Sequence, residues 1–111
     1  MHYMLLICTE GSITPNPKVD LATAIDAWVE EMDDRGVRQS GGPLRPTSDA
    51  TTVRLRDGEV VLADGPFAKT KEQITGYDLI ECSDLDEAIE VASKHPMAAV
   101  GMIEVRALWE K

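Results

Sequence analysis

The chain has 111 residues, a length that suits one domain and leaves no room for a second. Its formal net charge of −9 argues against non-specific binding to nucleic acid, which depends on lysine and arginine neutralising phosphates. No apolar run approaches the roughly 18 residues of a membrane span, and the start Met1–Tyr3 lacks the basic region of a signal peptide. We therefore expect a cytoplasmic protein with no membrane partner and no direct nucleic-acid partner.

The N-terminal third predicts a strand and then a helix. Tyr3 to Thr9 is a continuous apolar run, typical of a central strand that is covered on both faces. Asn16 and Pro17 form the pattern of an N-cap with proline at the first helical position, Gly36 is placed to end the helix, and Val37 begins the next strand. Apolar residues between these ends recur at three- and four-residue spacing, which predicts one buried stripe. Its members are Leu21, Ala24, Ile25, Trp28, Val29 and Met32.

The middle of the chain predicts a β-hairpin. Thr51–Arg56 and Glu59–Ala63 flank Asp57-Gly58, a dipeptide typical of a two-residue hairpin turn. The outgoing strand leads into Asp64-Gly65-Pro66, where glycine can take a positive φ and proline fixes its own φ. A stiff turn is therefore expected directly after the hairpin.

The C-terminal third predicts a strand over residues 77–82, with Gly76 at a bulge or a close backbone approach. Asp84 and Glu87 have the spacing of a capping box, and the helix that they begin should end at His95-Pro96. The residues expected to face inward from this helix are Leu85, Ala88, Ile89 and Ala92.

A last strand, Met102 to Leu108, completes the order β-α-β, hairpin, β-α-β. This order predicts an α+β fold, a ferredoxin-like split βαβ arrangement with two helices on one face of an antiparallel sheet. The other face has no third helix to cover it, so we expect a second copy of the chain to do so. Without that copy, alternate strand residues, either Ile103 and Val105 or Met102, would be exposed to water.

Cys8 and Cys82 lie in apolar, strand-like contexts and predict two buried free thiols. Neither cysteine has CxxC spacing or a histidine cluster nearby, so the sequence predicts no metal site. It also contains no glycine-rich phosphate-binding motif, and no organic cofactor is expected.

The stretch Asp64–Glu72 resembles the signature DGPFAETKE of the DGPF, or YCII-related, family of small bacterial proteins. Lys69 departs from the signature, because the family usually has an acid at this position. Thr52–Arg54, Gly76-Tyr77 and Glu104–Arg106 fit the family as well, so the resemblance covers nearly the whole chain as a single domain of residues 1–111. It implies a dimeric α+β barrel, in which two sheets face each other and enclose a cavity.

Asp64, Lys71 and Glu72 are the first candidate site residues. Two carboxylates and an ammonium group on one loop could bind a polar substrate and move a proton. Alternatively, Asp64 only accepts hydrogen bonds within its own turn, while Lys71 and Glu72 form a surface ion pair. The remaining ligand contacts expected from the signature are Gly65, Pro66 and Phe67.

Three residues outside the signature are further candidates. His95 would carry a proton near neutral pH, or would only cap the end of its helix. Arg45 would clamp a carboxylate or phosphate, unless it is simply solvated, and Tyr77 would line the cavity or serve as a strand aromatic. Residues 37–71, with six basic and four acidic side chains, form the basic part of the chain. This distribution indicates either a small anionic ligand or a solvated hairpin face.

Two functions follow from these observations. The first is an enzyme without metal or organic cofactor, in which a homodimer encloses a small polar or anionic molecule. Asp64, with Glu72 or His95, would shuttle a proton in isomerase- or lyase-like chemistry. The second is a non-catalytic accessory or ligand-sensing protein, because members of the family are often associated with sigma-factor-type transcription components. The negative charge requires such a protein to act through a protein partner or a bound metabolite.

Overall fold

The structure, a computed structural model, describes residues 1–10 and 20–110. These residues form an α+β domain with antiparallel sheets, which confirms the predicted fold class. The strands are β1 (His2–Glu10), β2 (Arg38–Pro43), β3 (Thr51–Arg56), β4 (Glu59–Asp64), β5 (Glu72–Glu81) and β6 (Met102–Ala107). The helices are α1 (Leu21–Asp34), α2 (Leu85–Ser93) and the short α3 (Met97–Val100), and one 3₁₀ turn spans Thr47–Asp49.

Four strands form an antiparallel sheet in the order β2-β5-β1-β6. The long apolar run of β1 occupies an inner position, paired with β5 on one side and β6 on the other. The core lies between one face of this sheet and helices α1 and α2. Its main side chains are Tyr3, Leu5, Trp28, Met32, Ile80, Ala88 and Val91. The sheet is open at β2 and β6, so a single chain does not form a closed barrel.

The opposite face of the sheet, here called the open face, is covered by no element among the described residues. Burial along β1 alternates, so that Leu5 is fully buried against the helices while Leu6 is only half-buried. The prediction that this strand is covered on both faces is therefore wrong for one chain. Apolar members of the open face are Met4, Leu6, Cys8, Ile74, Tyr77, Leu79 and Met102.

The register of β6 determines which of its apolar residues lie on the open face. Ile103 pairs with Ile7 and Val105 pairs with Leu5, and both pack against the core on the helix-covered side. Met102 points the other way and is 47% exposed. Of the two alternatives, Met102 is therefore the residue exposed on the open face, whereas Ile103 and Val105 lie on the helix-covered side.

Strands β3 and β4 form a separate two-stranded sheet, here called the hairpin arm (residues 51–64). Its turn has positive φ at both Asp57 (50°) and Gly58 (79°), which confirms the two-residue hairpin. Among the described residues, these two strands pair only with each other and not with the four-stranded sheet. One face of the arm carries apolar side chains that are 64–66% exposed, namely Val53, Leu55, Val60 and Leu62.

Helix α1 ends as predicted. The N–H of Val37 bonds the carbonyl of Met32 and the N–H of Gly36 bonds that of Asp33, while Gly36 takes φ 69°. This is a Schellman motif, which requires the left-handed conformation that glycine adopts without strain. At the other end Asp20 is the N-cap, accepting from the N–H of Thr23 at 3.1 Å. The cap predicted at residues 16–17 lies outside the described residues.

Helix α2 begins with the predicted cap, in which an oxygen of Asp84 accepts from the N–H of Glu87 at 2.9 Å. The expected burial of Leu85 and Ile89 is wrong, since each is 50% exposed. The buried stripe instead consists of Ala88, Val91 and Ala92. The following helix α3 was not predicted. In the described ranges, no helix has the length and apolar character needed to cross a membrane.

Candidate functional site

A cavity of about 660 Å³ lies on the helix-covered side of the sheet, between α1 and strands β1, β2 and β5. We call it the helix-side cavity. Its apolar lining includes Ile7, Ile25, Val29, Pro43 and Met97. Four charged or titratable side chains also line it, namely Asp26, Arg38, Asp78 and His95. A largely apolar cavity with a few convergent polar groups is the usual form of a small-molecule site.

Asp78 lies on β5 at an inward position and is 4% exposed. Its Oδ1 accepts a hydrogen bond from Nε of Arg38 at 2.9 Å, and Nη2 of Arg38 donates to the carbonyl of Gly41 at 2.9 Å. Burial raises the pKa of Asp78, although the hydrogen bond and positive charge of Arg38 act in the opposite direction. The arginine thus holds the carboxylate in place and neutralises part of its charge.

Two glycines bring β2 and β5 together at this point. A side chain at Gly41 would overlap the carboxylate of Asp78 and the carbonyl of Tyr77. A Cβ at Gly76 would lie 3.2 Å from the carbonyl oxygen of Gly42, and the pairing of β5 with β1 shifts register beside Gly76. The structure therefore confirms both the bulge and the close approach expected at Gly76. The absence of side chains lets the backbone place Asp78 at the cavity wall.

His95 follows α2 and is 3% exposed, with its ring edge against Trp28 at a centroid distance of 4.5 Å. Its Nδ1 accepts a hydrogen bond from the N–H of Met97 at 3.0 Å. An acceptor nitrogen carries no proton, so the neutral ring must be protonated at Nε2. Burial lowers the pKa of His95, which favours this neutral form. Nε2 lies 4.0 Å from Oδ2 of Asp78.

Asp78 and His95 provide complementary groups at one place. A carboxylate whose pKa is raised toward neutrality is a better general base than an exposed aspartate, and a fixed N–H stabilises negative charge that develops on a nearby oxygen. Within residues 1–10 and 20–110, no group of three or more histidine, cysteine, aspartate or glutamate side chains has the geometry to hold a metal ion.

The signature turn lies outside the helix-side cavity. Asp64 ends β4 and is exposed. The N–H of Gly65 donates to the carbonyl of Ala50 at 2.7 Å, and the hydroxyl of Thr52 donates to the carbonyl of Gly65 at 2.8 Å. Gly65 has φ 90°, as expected from the sequence. These bonds tie the turn to the start of the hairpin arm.

The second half of the signature is held by Gln73. Its side-chain amide donates to the carbonyls of Ala68 and Thr70 at 2.8 and 2.9 Å. Lys71 and Glu72 are exposed, and in the described part of the chain neither forms an ion pair with Asp64 or with the other. The structure therefore places these charged groups on one loop without joining them.

The other residues predicted to contact a ligand lie in different parts of the structure. Pro66 is half-buried and Phe67 is 79% exposed. Arg45 forms an ion pair with Asp49 at 2.7 Å, and Tyr77 lies on the open face. Among all the predicted site residues, His95 alone lines the described wall of the helix-side cavity.

Reasoning from the sequence missed Arg38 and Asp78. A signal was present for Asp78, because the alternation of β5 places it on the same face as Gly76 and the buried Ile80. A carboxylate at an inward strand position must find a partner or lie beside a cavity. Nothing near Arg38 in the sequence identifies that partner, which is 40 residues away.

The two cysteines are free, as predicted. The expectation of burial is right for Cys82 and wrong for Cys8, which is half-buried on the open face. Burial raises the pKa of Cys82 to about 11. Its thiol is thus protonated and weakly nucleophilic at neutral pH.

Comparison with known proteins agrees with the signature. The model of the YCII-related domain family matches residues 1–111. An uncharacterized protein of Rhizobium meliloti (strain 1021) is 41% identical over 125 aligned residues, which cover 97% of this chain and 92% of that protein. The match extends over the elements that form the sheet, the helices and the hairpin arm. The chain therefore belongs to the YCII-related domain family.

Proposed function

We propose that the helix-side cavity binds a small, mainly apolar molecule with one polar group, that Asp78 accepts a proton from it, and that His95 stabilises the negative charge that then develops. The observation that carries this proposal is the placement of a buried carboxylate and a buried imidazole N–H, 4.0 Å apart, at the wall of an apolar cavity. Groups with perturbed pKa values in a cavity are typical of catalytic sites.

In the proposed step Asp78 takes a proton from the bound molecule. The electron pair stays on the molecule, and Nε2–H of His95 donates a hydrogen bond to the oxygen on which negative charge develops. Arg38 does not contact the substrate in this scheme, because it positions Asp78 through the 2.9 Å bond and opposes an excessive rise of its pKa. Such a proton transfer begins many isomerase- and lyase-type reactions and requires no metal or organic cofactor.

The proposal includes a homodimer of ferredoxin-like subunits. The strand order β2-β5-β1-β6, with a helix after β1 and another after β5 on one face, supports the ferredoxin-like arrangement. The half-buried apolar side chains of the open face support pairing of two sheets into the dimeric α+β barrel. Asp64, Lys71 and Glu72 do not line the helix-side cavity, and in this dimer they remain predicted contacts for a separate polar ligand between the two sheets.

Ligand-induced stabilisation tests the assignment. A library of small neutral and charged molecules is screened for compounds that raise the melting temperature, and each hit is then measured by calorimetry against three variants. Asp78→Asn and His95→Asn should weaken binding at least about tenfold, whereas Asp64→Asn should leave it unchanged. Loss of binding in Asp64→Asn alone would move the site to the signature turn and contradict the proposal.

A second function is favoured by the hairpin arm. Its four apolar side chains, 64–66% exposed, form the kind of surface that proteins use for partners. A non-catalytic accessory protein would bind a transcription component through this arm. Substituting Leu55 and Leu62 with threonine should abolish such binding and leave the helix-side cavity intact, which separates the two functions.

A further inference from the structure

The distance between the side chains of Asp78 and His95 determines which chemical group can bind to both. Oδ2 of Asp78 and Nε2 of His95 are 4.0 Å apart, too far for a direct hydrogen bond. A single oxygen about 2.8 Å from each atom would lie roughly 2 Å off the line that joins them, within hydrogen-bond reach of both. The two side chains can therefore share one ligand oxygen.

The protonation of the two atoms determines the chemistry of that oxygen. Nδ1 of His95 is occupied by the N–H of Met97, so Nε2 is a donor. Oδ1 of Asp78 is occupied by Arg38, so the ionised Oδ2 is an acceptor. The shared oxygen must accept from His95 and donate to Asp78. A hydroxyl group does both, whereas a carboxylate or phosphate oxygen can only accept.

The charged groups around the cavity also favour a neutral ligand over an anionic one. Arg38 contacts both Asp78 and Asp33, so its positive charge is already opposed by carboxylates. Asp26 also lines the cavity and adds another negative charge. The described lining contains no further lysine or arginine, so an anionic ligand would meet an excess of negative charge there.

We infer that the helix-side cavity selects neutral, mainly apolar molecules that carry a hydroxyl group, and that it rejects carboxylates and phosphates of the same shape. This inference rests on the proposed function and names its ligand class. It also departs from the small anionic ligand that the basic segment of residues 37–71 suggested. If a proton is transferred, the O–H bond of the ligand breaks, its proton moves to Oδ2 of Asp78, and the electron pair stays on an oxygen that accepts from Nε2–H of His95.

Three probes with one apolar body test the inference: 2-naphthol, 2-naphthoate and naphthalene. Calorimetric titration of the whole protein at neutral pH should show 2-naphthol binding at least about tenfold more tightly than either of the others. Equal affinity for all three, or tighter binding of 2-naphthoate, overturns the inference and leaves the cavity as a binding site. A protein that binds none of the three overturns the proposed function together with the inference.

Variants assign the selectivity to the two side chains. Asp78→Asn keeps an acceptor for Arg38 but presents an N–H₂ donor to the cavity, so the preference for 2-naphthol should be lost and 2-naphthoate should bind more tightly. Asp26→Asn removes the same charge from the same cavity and is the matched control, which should keep most of the preference. Equal effects of the two substitutions would mean that general electrostatics sets the selectivity and would contradict the shared oxygen.

Two substitutions at His95 separate its structural bond from its proposed ligand bond. His95→Asn places an oxygen near the position of Nδ1 and retains an acceptor for Met97, but it has no group at Nε2. His95→Gln places its amide near Nε2 and loses the acceptor. The inference requires that His95→Asn lose the affinity for 2-naphthol and that His95→Gln retain more of it. The opposite order would show that the histidine acts only as a local cap.

Discussion

At the scale of single residues, His95 links stability to pH. Burial lowers the pKa of His95 relative to the unfolded chain. As the pH rises, the folded state therefore loses this proton at a lower pH than the unfolded state does. Its contribution to stability is therefore complete above the unfolded pKa of about 6.5 and is lost as the pH falls through the lower folded value. The raised pKa of Asp78 has the opposite effect, because its contribution to the stability of the folded protein increases as the pH falls.

We expect the melting temperature to decrease as the pH is lowered from 7 to 5, and His95→Asn to reduce this decrease. The variant His2→Asn removes the other histidine of the chain and provides the comparison. We expect His95→Asn to reduce the slope more than His2→Asn does. A slope that persists in His95→Asn and vanishes in His2→Asn would show that the buried ring is not the group that titrates.

The role of Asp64 also depends on a single side chain. Its carboxylate either contacts a ligand or only accepts hydrogen bonds within its own turn. The turn around it is held by backbone and threonine bonds at Gly65, none of which uses the carboxylate of Asp64. We expect Asp64→Asn to change the free energy of unfolding by less than about 0.5 kcal/mol. Urea denaturation of the two proteins measures this difference. A loss of more than about 1 kcal/mol would mean that the carboxylate itself stabilises the turn.

At the scale of elements, Gly41 decides how closely β2 approaches β5. A methyl group there would overlap both the carboxylate of Asp78 and the backbone of Tyr77. We expect Gly41→Ala to cost about 2 kcal/mol or more and to abolish binding at the helix-side cavity. Gly42→Ala is the matched control, since a Cβ at that neighbouring position meets nothing within 4 Å. Equal losses in the two variants would contradict the steric explanation.

Elements fixed by neighbouring residues could be predicted from the sequence. The Asp57-Gly58 turn, the Asp84 cap and the Gly36 helix end each depend on local backbone chemistry, and each is present. The buried side of α2 could not be read reliably, because Leu85 and Ala88 both satisfy helical spacing and only the position of the sheet decides between them. The pairing of Arg38 with Asp78 depends on two strands meeting at a glycine, which no local pattern encodes.

At the scale of the whole molecule, the described chain is thinner and more extended than a compact domain of its length. Its extents are 47 × 44 × 18 Å and its radius of gyration is 16.0 Å, compared with about 13 Å for a compact chain of this length. The protruding hairpin arm and the thin, half-covered sheet account for the difference. Both are features that a second copy would cover.

We therefore expect light scattering at micromolar concentration to give twice the mass of a single chain. Leu6→Glu places a charge in the middle of the open face and should yield a folded monomer, because a dimer would have to bury that charge. Ile89→Glu adds the same charge at a 50% exposed position of α2 and should leave the dimer intact. A wild-type protein that is monomeric would exclude the barrel.

We expect the hairpin arm to unfold separately from the four-stranded sheet. In the part of the chain that the structure describes, its strands pair only with each other, so the arm can open while the four-stranded sheet stays closed. Amide hydrogens of residues 51–64 in an isolated chain should exchange with deuterium far faster than those of β1, which is paired on both sides. Exchange in the arm of the isolated chain that is as slow as in β1 would contradict separate opening of the arm.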